Sequence, residues 1–168
     1  MEDNKLIEIE DNQFDQLSSL WLLHLWGNKL SRLSNNSFAG LVELRHLDLS
    51  HNRLPTLSPA VLAPLQQLEH LDLSENRFKT LSSDLLLRNR KLQLFKLERN
   101  AMQMVDEPDA EWLQSLELPQ GLLSDLSRLT WVSMANSAVA KLPRFLLRGS
   151  PTLLHLDLRG NQLTSIPR

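Results

Sequence analysis

Apolar residues recur along this chain at fixed offsets with a period of 24 residues. Leu20, Leu23, Leu25, Asn28, Leu30 and Leu33 set the pattern, and Leu44, Leu47, Leu49, Asn52, Leu54 and Leu57 repeat it. Two further units follow in phase, Leu68 to Leu81 and Leu92 to Val105, and two more after an interruption, Leu129 to Leu142 and Leu153 to Ile166. Asn4, Asn28, Asn52, Asn76 and Asn100 mark one position of each unit, and Ser137 and Asn161 are separated by the same interval. The spacing is not heptad and Pro stands at eight positions, which excludes a coiled coil.

The middle of each unit alternates apolar and polar residues, the signature of a short strand with one buried face. Units of constant length then stack as parallel coils roughly 4.8 Å apart. The Asn sits where the chain leaves the strand, and its amide both donates to and accepts from backbone groups that need partners. A column of such amides is expected to run down the stack. Ser137 interrupts it, and because a hydroxyl satisfies fewer groups a looser turn is expected there. Two more columns close the back of the coils. One is Phe14, Phe38, Leu62, Leu86, Leu123 and Leu147; the other is Leu17, Leu41, Leu65 and Leu126, with Asn89 and Ser150 as departures.

The expected architecture is therefore a solenoid, one array over residues 1–168 with about seven 24-residue units, the first and last incomplete. Asn100 and Ser137 are 37 residues apart, so one unit carries an insertion, placed near 106–117 in the stretch DEPDAEWLQSLE. Asp106, Glu107, Asp109, Glu111 and Trp112 make it acidic with an aromatic residue, and insertions in solenoids map to one face, often a binding face. A tolerated surface excursion explains it equally, since longer loops cost little. Leu113, Leu116, Leu118, Gly121 and Leu123 also fit the strand motif, but that unit leaves too few residues before Leu129 for a coil. Neither end shows a polar capping unit, as expected for a piece of a longer repeat array, a truncated product, or a chain whose ends a partner covers.

The outward strand positions fall into rows. One row is Leu22, His46, His70, Leu94, Trp131 and His155; the next is His24, Asp48, Asp72, Lys96, Ser133 and Asp157. Trp21, Leu22 and Trp26 crowd one end of this face, and exposed aromatic residues are favoured anchors in protein interfaces. The competing reading is that Trp21 and Trp26 fold sideways onto neighbouring coils. All five His residues, including His51, map to this side, and His46 with Asp48, His70 with Asp72 and His155 with Asp157 lie on one side of their strands. Zinc ligation and protonation-sensitive binding are conceivable from such residues; a solvated repeat surface accounts for them as well. No metal or cofactor is expected.

The bulk numbers narrow the function classes. The net charge is −2 and the sequence alone suggests no basic patch, so nucleic acid is not an expected partner. There is no Cys, hence neither a disulfide framework nor a thiolate metal site, which fits the cytoplasm or an interior piece of a secreted protein. The residues Met1 to Lys5 form no signal peptide, and no apolar run is long enough to span a bilayer. A phosphate-binding Gly-rich loop, a nucleophile elbow and an HExxH motif are all missing, so an enzyme is not expected.

The LxxLxLxxNxL units, with Phe or Leu at the tenth residue after each Asn, resemble the leucine-rich-repeat family over nearly the whole chain. That resemblance implies an α/β solenoid: a curved right-handed coil, a parallel β-sheet on the concave face, and irregular or short helical convex segments. The tails LSNNSFAGLVEL and LPQGLLSDLSRL, and the stretch LPQGLL, LPRFLL and LTSIP, are similar to the extracellular type found in Toll and Toll-like receptor ectodomains. This implies capture of a protein ligand or co-receptor, a possible homodimer, and an extracellular or cell-surface location in immune or developmental signalling. An intracellular scaffold of the same fold is the alternative. The binding residues implied are Trp21, Leu22, His24, Trp26, His46, Asp48, His70, Asp72, Lys96, Trp131, His155 and Asp157. Asn35-Asn36-Ser37 is an N-glycosylation sequon, which counts if the chain is secreted.

Overall fold

A computed structural model describes residues 1–100 and 115–167. Six short parallel strands form one sheet in simple chain order: β2 (Leu22–His24), β4 (His46–Asp48), β5 (His70–Asp72), β6 (Leu94–Lys96), β7 (Trp131–Ser133) and β8 (His155–Asp157). The register follows the repeat, with Leu23 opposite Leu47, then Leu71, Phe95, Val132 and Leu156. The central residue of β2, β4, β5 and β6 is buried between two half-exposed neighbours. That is the pleat of a strand with one wet face. Among the described residues the one helix is α1 (Pro59–Leu62), capped by Ser58, whose side chain accepts from the Ala60 amide. A second, two-stranded sheet not foreseen from the repeat joins β1 (Glu8–Ile9) to β3 (Arg32–Leu33).

The core lies between the sheet and the back segments. Leu25, Leu49, Leu73 and Leu97 are fully buried, as are Phe38, Leu62 and Leu123 from the back column. Leu17 departs from its column and is half exposed. Asn89 and Ser150 are buried polar replacements that reach across to the preceding coil. The Asn89 amide donates to the carbonyls of Leu62 and Leu65, and the Ser150 hydroxyl to that of Leu123.

The asparagine column forms as expected. Asn52 Oδ1 accepts from the Leu30 amide, while its Nδ2 donates to the carbonyls of Leu25, Leu49 and Ser50. Asn28, Asn76, Asn100 and Asn161 make the equivalent links. Asn4 does not join this buried column; it is exposed and its amide donates to the carbonyl of Glu2. At Ser137 the hydroxyl donates to Leu97 and Ala135 carbonyls and is fully buried. The change in turn shape there is a second left-handed residue, Ala138 at φ 51°.

The residue before each Asn or Ser marker is left-handed throughout: Asp3, Gly27, His51, Glu75, Arg99, Asn136 and Gly160. Such a backbone costs non-glycine residues about 1 kcal/mol or more. Except at Gly160 in the last coil, it is held because the amide donates to a carbonyl of the next coil, as His51 does to Ser74 and Glu75 to Glu98. After the interruption, Thr80 bridges Glu117, and the Glu117 amide donates to the Lys79 carbonyl. The 37-residue offset is therefore complete by Glu117, and Leu118 stands where an unbroken period would put Val105. Asp106, Glu107, Asp109, Glu111 and Trp112 lie outside the described residues.

Candidate binding face

The stacking converts sequence positions two dozen residues apart into neighbours about 4.8 Å apart on the open sheet face. The first outward row, with Trp21 just before it, carries two groups of packed rings. Trp21 meets His46 edge-on with centroids 5.6 Å apart, and His46 meets His70 at 4.2 Å. Beyond Leu94, Trp131 stacks on His155 at 3.6 Å with the planes within 13°. Trp21 is 57% exposed and Trp131 41%. Trp26 behaves differently. It is half buried, donates from Nε1 to Glu2 at 2.9 Å and lies edge-on to His51, so it packs sideways as well as facing out. Glu2 was not among the expected site residues, although it lies one 24-residue period before Trp26, in the same column.

The second row is polar and internally tied. Asp48 Oδ1 accepts from the amide and hydroxyl of Ser50. Asp72 Oδ1 accepts from the Ser74 amide, and its Oδ2 lies 3.5 Å from Lys96 Nζ. Asp157 receives Arg159, which also holds its carboxyl below the usual carboxylate range. Burial, then the neighbouring Asp48 charge, pushes the Asp72 carboxyl up, against the Ser74 hydrogen bonds and Lys96, which pull it down. Burial, then His46, pulls the His70 imidazole down, with Lys96 adding and Glu69 opposing. His24 Nδ1 lies 3.5 Å from Glu2. Ser133, in the same row, is 2% exposed and its hydroxyl has no hydrogen-bond partner among the described residues. His51 stands at the left-handed turn and not on a strand, where it and Arg99 both pair with Glu75 at 2.9 Å.

Ten of the twelve residues expected on this face are thus brought together along one sheet, with Leu22, His46, His70, Trp131 and His155 in register as one row and His24, Asp48, Asp72, Lys96 and Asp157 as the next, while Trp21 and Trp26 flank β2 outside the strands. Among the described residues no group of three or more His, Cys, Asp or Glu side chains is placed to hold a metal ion. No described helix is long and apolar enough to cross a membrane. Asn35 is exposed, whereas the Ser37 hydroxyl of the same sequon is fully buried and donates to the Ile9 and Ser34 carbonyls.

Comparison with known proteins places this geometry. The sequence pattern described as leucine rich repeat matches residues 1–54, and that described as leucine rich repeats (2 copies) matches residues 42–89. No curated protein matches by sequence. Among solved structures, 99% of this chain superimposes on Toll in the Toll–Spatzle complex, a molecular hub in Drosophila development and innate immunity, with a TM-score of 0.87 and 25% identity. This chain spans 20% of the length of that one.

Proposed function

The chain belongs to the leucine-rich-repeat family, whose members generally serve as non-enzymatic protein-interaction modules, and from that premise we propose that its open sheet face captures a protein ligand or co-receptor as part of a receptor-type ectodomain. The single observation that carries the reading is the set of packed rings on the open face. Trp21 and Trp131 present large rigid surfaces to solvent, held at defined angles by His46 and His155. Rigid aromatic groups lose little entropy on binding and dominate interface energies. The carboxylates of the second row are fixed by Ser50, Ser74 and Arg159, so they offer preset polar contacts beside the rings. The binding set is Trp21, Leu22, His24, Trp26, His46, Asp48, His70, Asp72, Lys96, Trp131, His155 and Asp157. The likeness to Toll, seen in complex with Spatzle, supports a protein partner and an extracellular or cell-surface setting. The lack of Cys equally suits a cytoplasmic scaffold.

Proximity labelling in cells expressing the wild type and a Trp21→Ala, Trp26→Ala, Trp131→Ala variant tests the face. Partners lost in the variant support it, and an unchanged partner set removes this face from the argument. A glycan found on Asn35 by mass analysis of the same protein supports the extracellular setting, since a scaffold facing the cytoplasm acquires none.

A further inference from the structure

The coil stacking assembles a second charged surface, on the opposite side from the sheet, that the net charge of −2 conceals. The back turns of the three later coils occupy 83–88, 120–125 and 144–149. With the residues that follow them they carry Arg88, Arg90, Lys91, Arg128, Arg144 and Arg148 against only Asp84 and Asp125. The corresponding back segments of the first three coils carry Asp11, Asp15 and Glu43 and no cation. The back therefore runs from acidic at one end to basic at the other.

Contacts across the coils bring the later cations together. The Arg90 guanidinium donates to the Asp125 carbonyl at 3.0 Å, and the Asp125 amide donates to the Arg148 carbonyl at 2.7 Å. The Arg148 guanidinium lies over the Phe145 ring, 5.8 Å from its centroid. Phe145 and Leu87 stand among these cations and are each about half exposed, at 50% and 55%.

The pairing pattern distinguishes this surface from the sheet face. There, Arg45, Lys96, Arg99 and Arg159 each face a carboxylate, from Glu69, Asp72, Glu75 and Asp157. On the back, Arg88, Arg90, Arg128, Arg144 and Arg148 have no salt-bridge partner among the described residues. Unpaired like charges gathered on one face repel one another and set up a positive field. Guanidinium groups bind carboxylates in a bidentate fork, and Arg interleaved with exposed aromatic and aliphatic groups is the composition of a protein interface.

We propose that this back surface, centred on Arg90, Arg128 and Arg148 with Phe145 and Leu87, docks an acidic segment of a partner protein that also supplies an apolar side chain. Charge complementarity selects the acidic partner, and the two exposed apolar residues favour a protein over a purely polar polyanion. The site is independent of the sheet face and its tryptophans.

The test is fluorescence anisotropy with a labelled glutamate-rich peptide carrying one Phe. The controls are the same peptide with Gln for Glu, and heparin as competitor. Binding of the Glu peptide that weakens with salt is expected, and the Gln peptide binds at least about tenfold more weakly. An Arg90→Glu, Arg128→Glu, Arg148→Glu variant with an unchanged circular dichroism spectrum loses binding by a similar factor. The Trp21→Ala, Trp26→Ala variant keeps it, which separates this result from failure of the sheet-face reading. Equal binding of the two peptides, or no effect of charge reversal, overturns the proposal. Should the reversal variant not fold, single Arg→Gln changes at the same exposed positions give the same readout. Tight heparin binding with no binding of the Glu peptide also overturns it, in favour of a sulfated polysaccharide.

Discussion

Replacement of Asn52 by Ala tests the physical basis of the fold directly. Asn52 Oδ1 is the acceptor for the Leu30 amide at 2.9 Å, and Leu30 is fully buried. The three carbonyls that receive Nδ2 keep other donors. Leu25 retains Asn28, Leu49 retains Asn76, and Ser50 retains the Gly27 amide. The uncompensated loss is thus one buried N–H, costing about 1–3 kcal/mol, to which the lost net contribution of the donated bonds adds about 1 kcal/mol. Asn52→Ala is expected to destabilise by about 2–4 kcal/mol, which for a chain of this size lowers Tm by roughly 5–15 °C. Asn4→Ala is the control. Asn4 is exposed and donates only to the Glu2 carbonyl, so its loss stays within about 0.5 kcal/mol. Thermal and urea unfolding followed by circular dichroism, for both variants and the wild type, measures the difference. Equal midpoints for the two variants would refute the claim that the amide column satisfies buried backbone between coils.

Two further outcomes follow from the back turns and from the packed rings. A Cβ on Gly40 would lie 2.4 Å from the Asp15 Cα and 2.8 Å from two carbonyl oxygens, so Gly40→Ala forces backbone against backbone and should destabilise by about 1–3 kcal/mol in a urea titration; an unchanged midpoint would mean the coils are free to separate there. The folded-state pKa of His70 lies below its ordinary 6.5, chiefly through burial, so the unfolded chain binds more protons in the window just below 6.5 and stability rises with pH through it. Acidification into that window should therefore lower the unfolding midpoint of the wild type more than that of His70→Gln, and parallel pH profiles would show that His70 carries no such linkage.

The strands, the open face and the amide column were legible because a constant 24-residue period fixes which residues become neighbours. Register follows from counting, so Leu22, His46, His70, Trp131 and His155 fall into one row without any knowledge of side-chain packing. What the side chains beside that row do is not periodic. Trp21 remains exposed while Trp26 turns onto Glu2 and His51, since that choice depends on which atoms lie beside each ring. Left-handed backbone at His51, Glu75 and Arg99 was likewise hidden, because these residues do not favour it and only inter-coil hydrogen bonds hold it.

The basic back surface shows the same division most clearly. Arg90, Arg128 and Arg148 are spread over 59 positions, within a chain of slightly negative charge, and the 37-residue offset disguises that they fall close together on the back of successive coils. Sequence alone determined that this chain stacks in parallel coils, because repeated burial of Leu at one spacing has a single compact solution. Only the tertiary structure decided which charges are answered by a neighbour and which are left facing solvent, because Coulomb interactions depend on distances across coils that no linear spacing records.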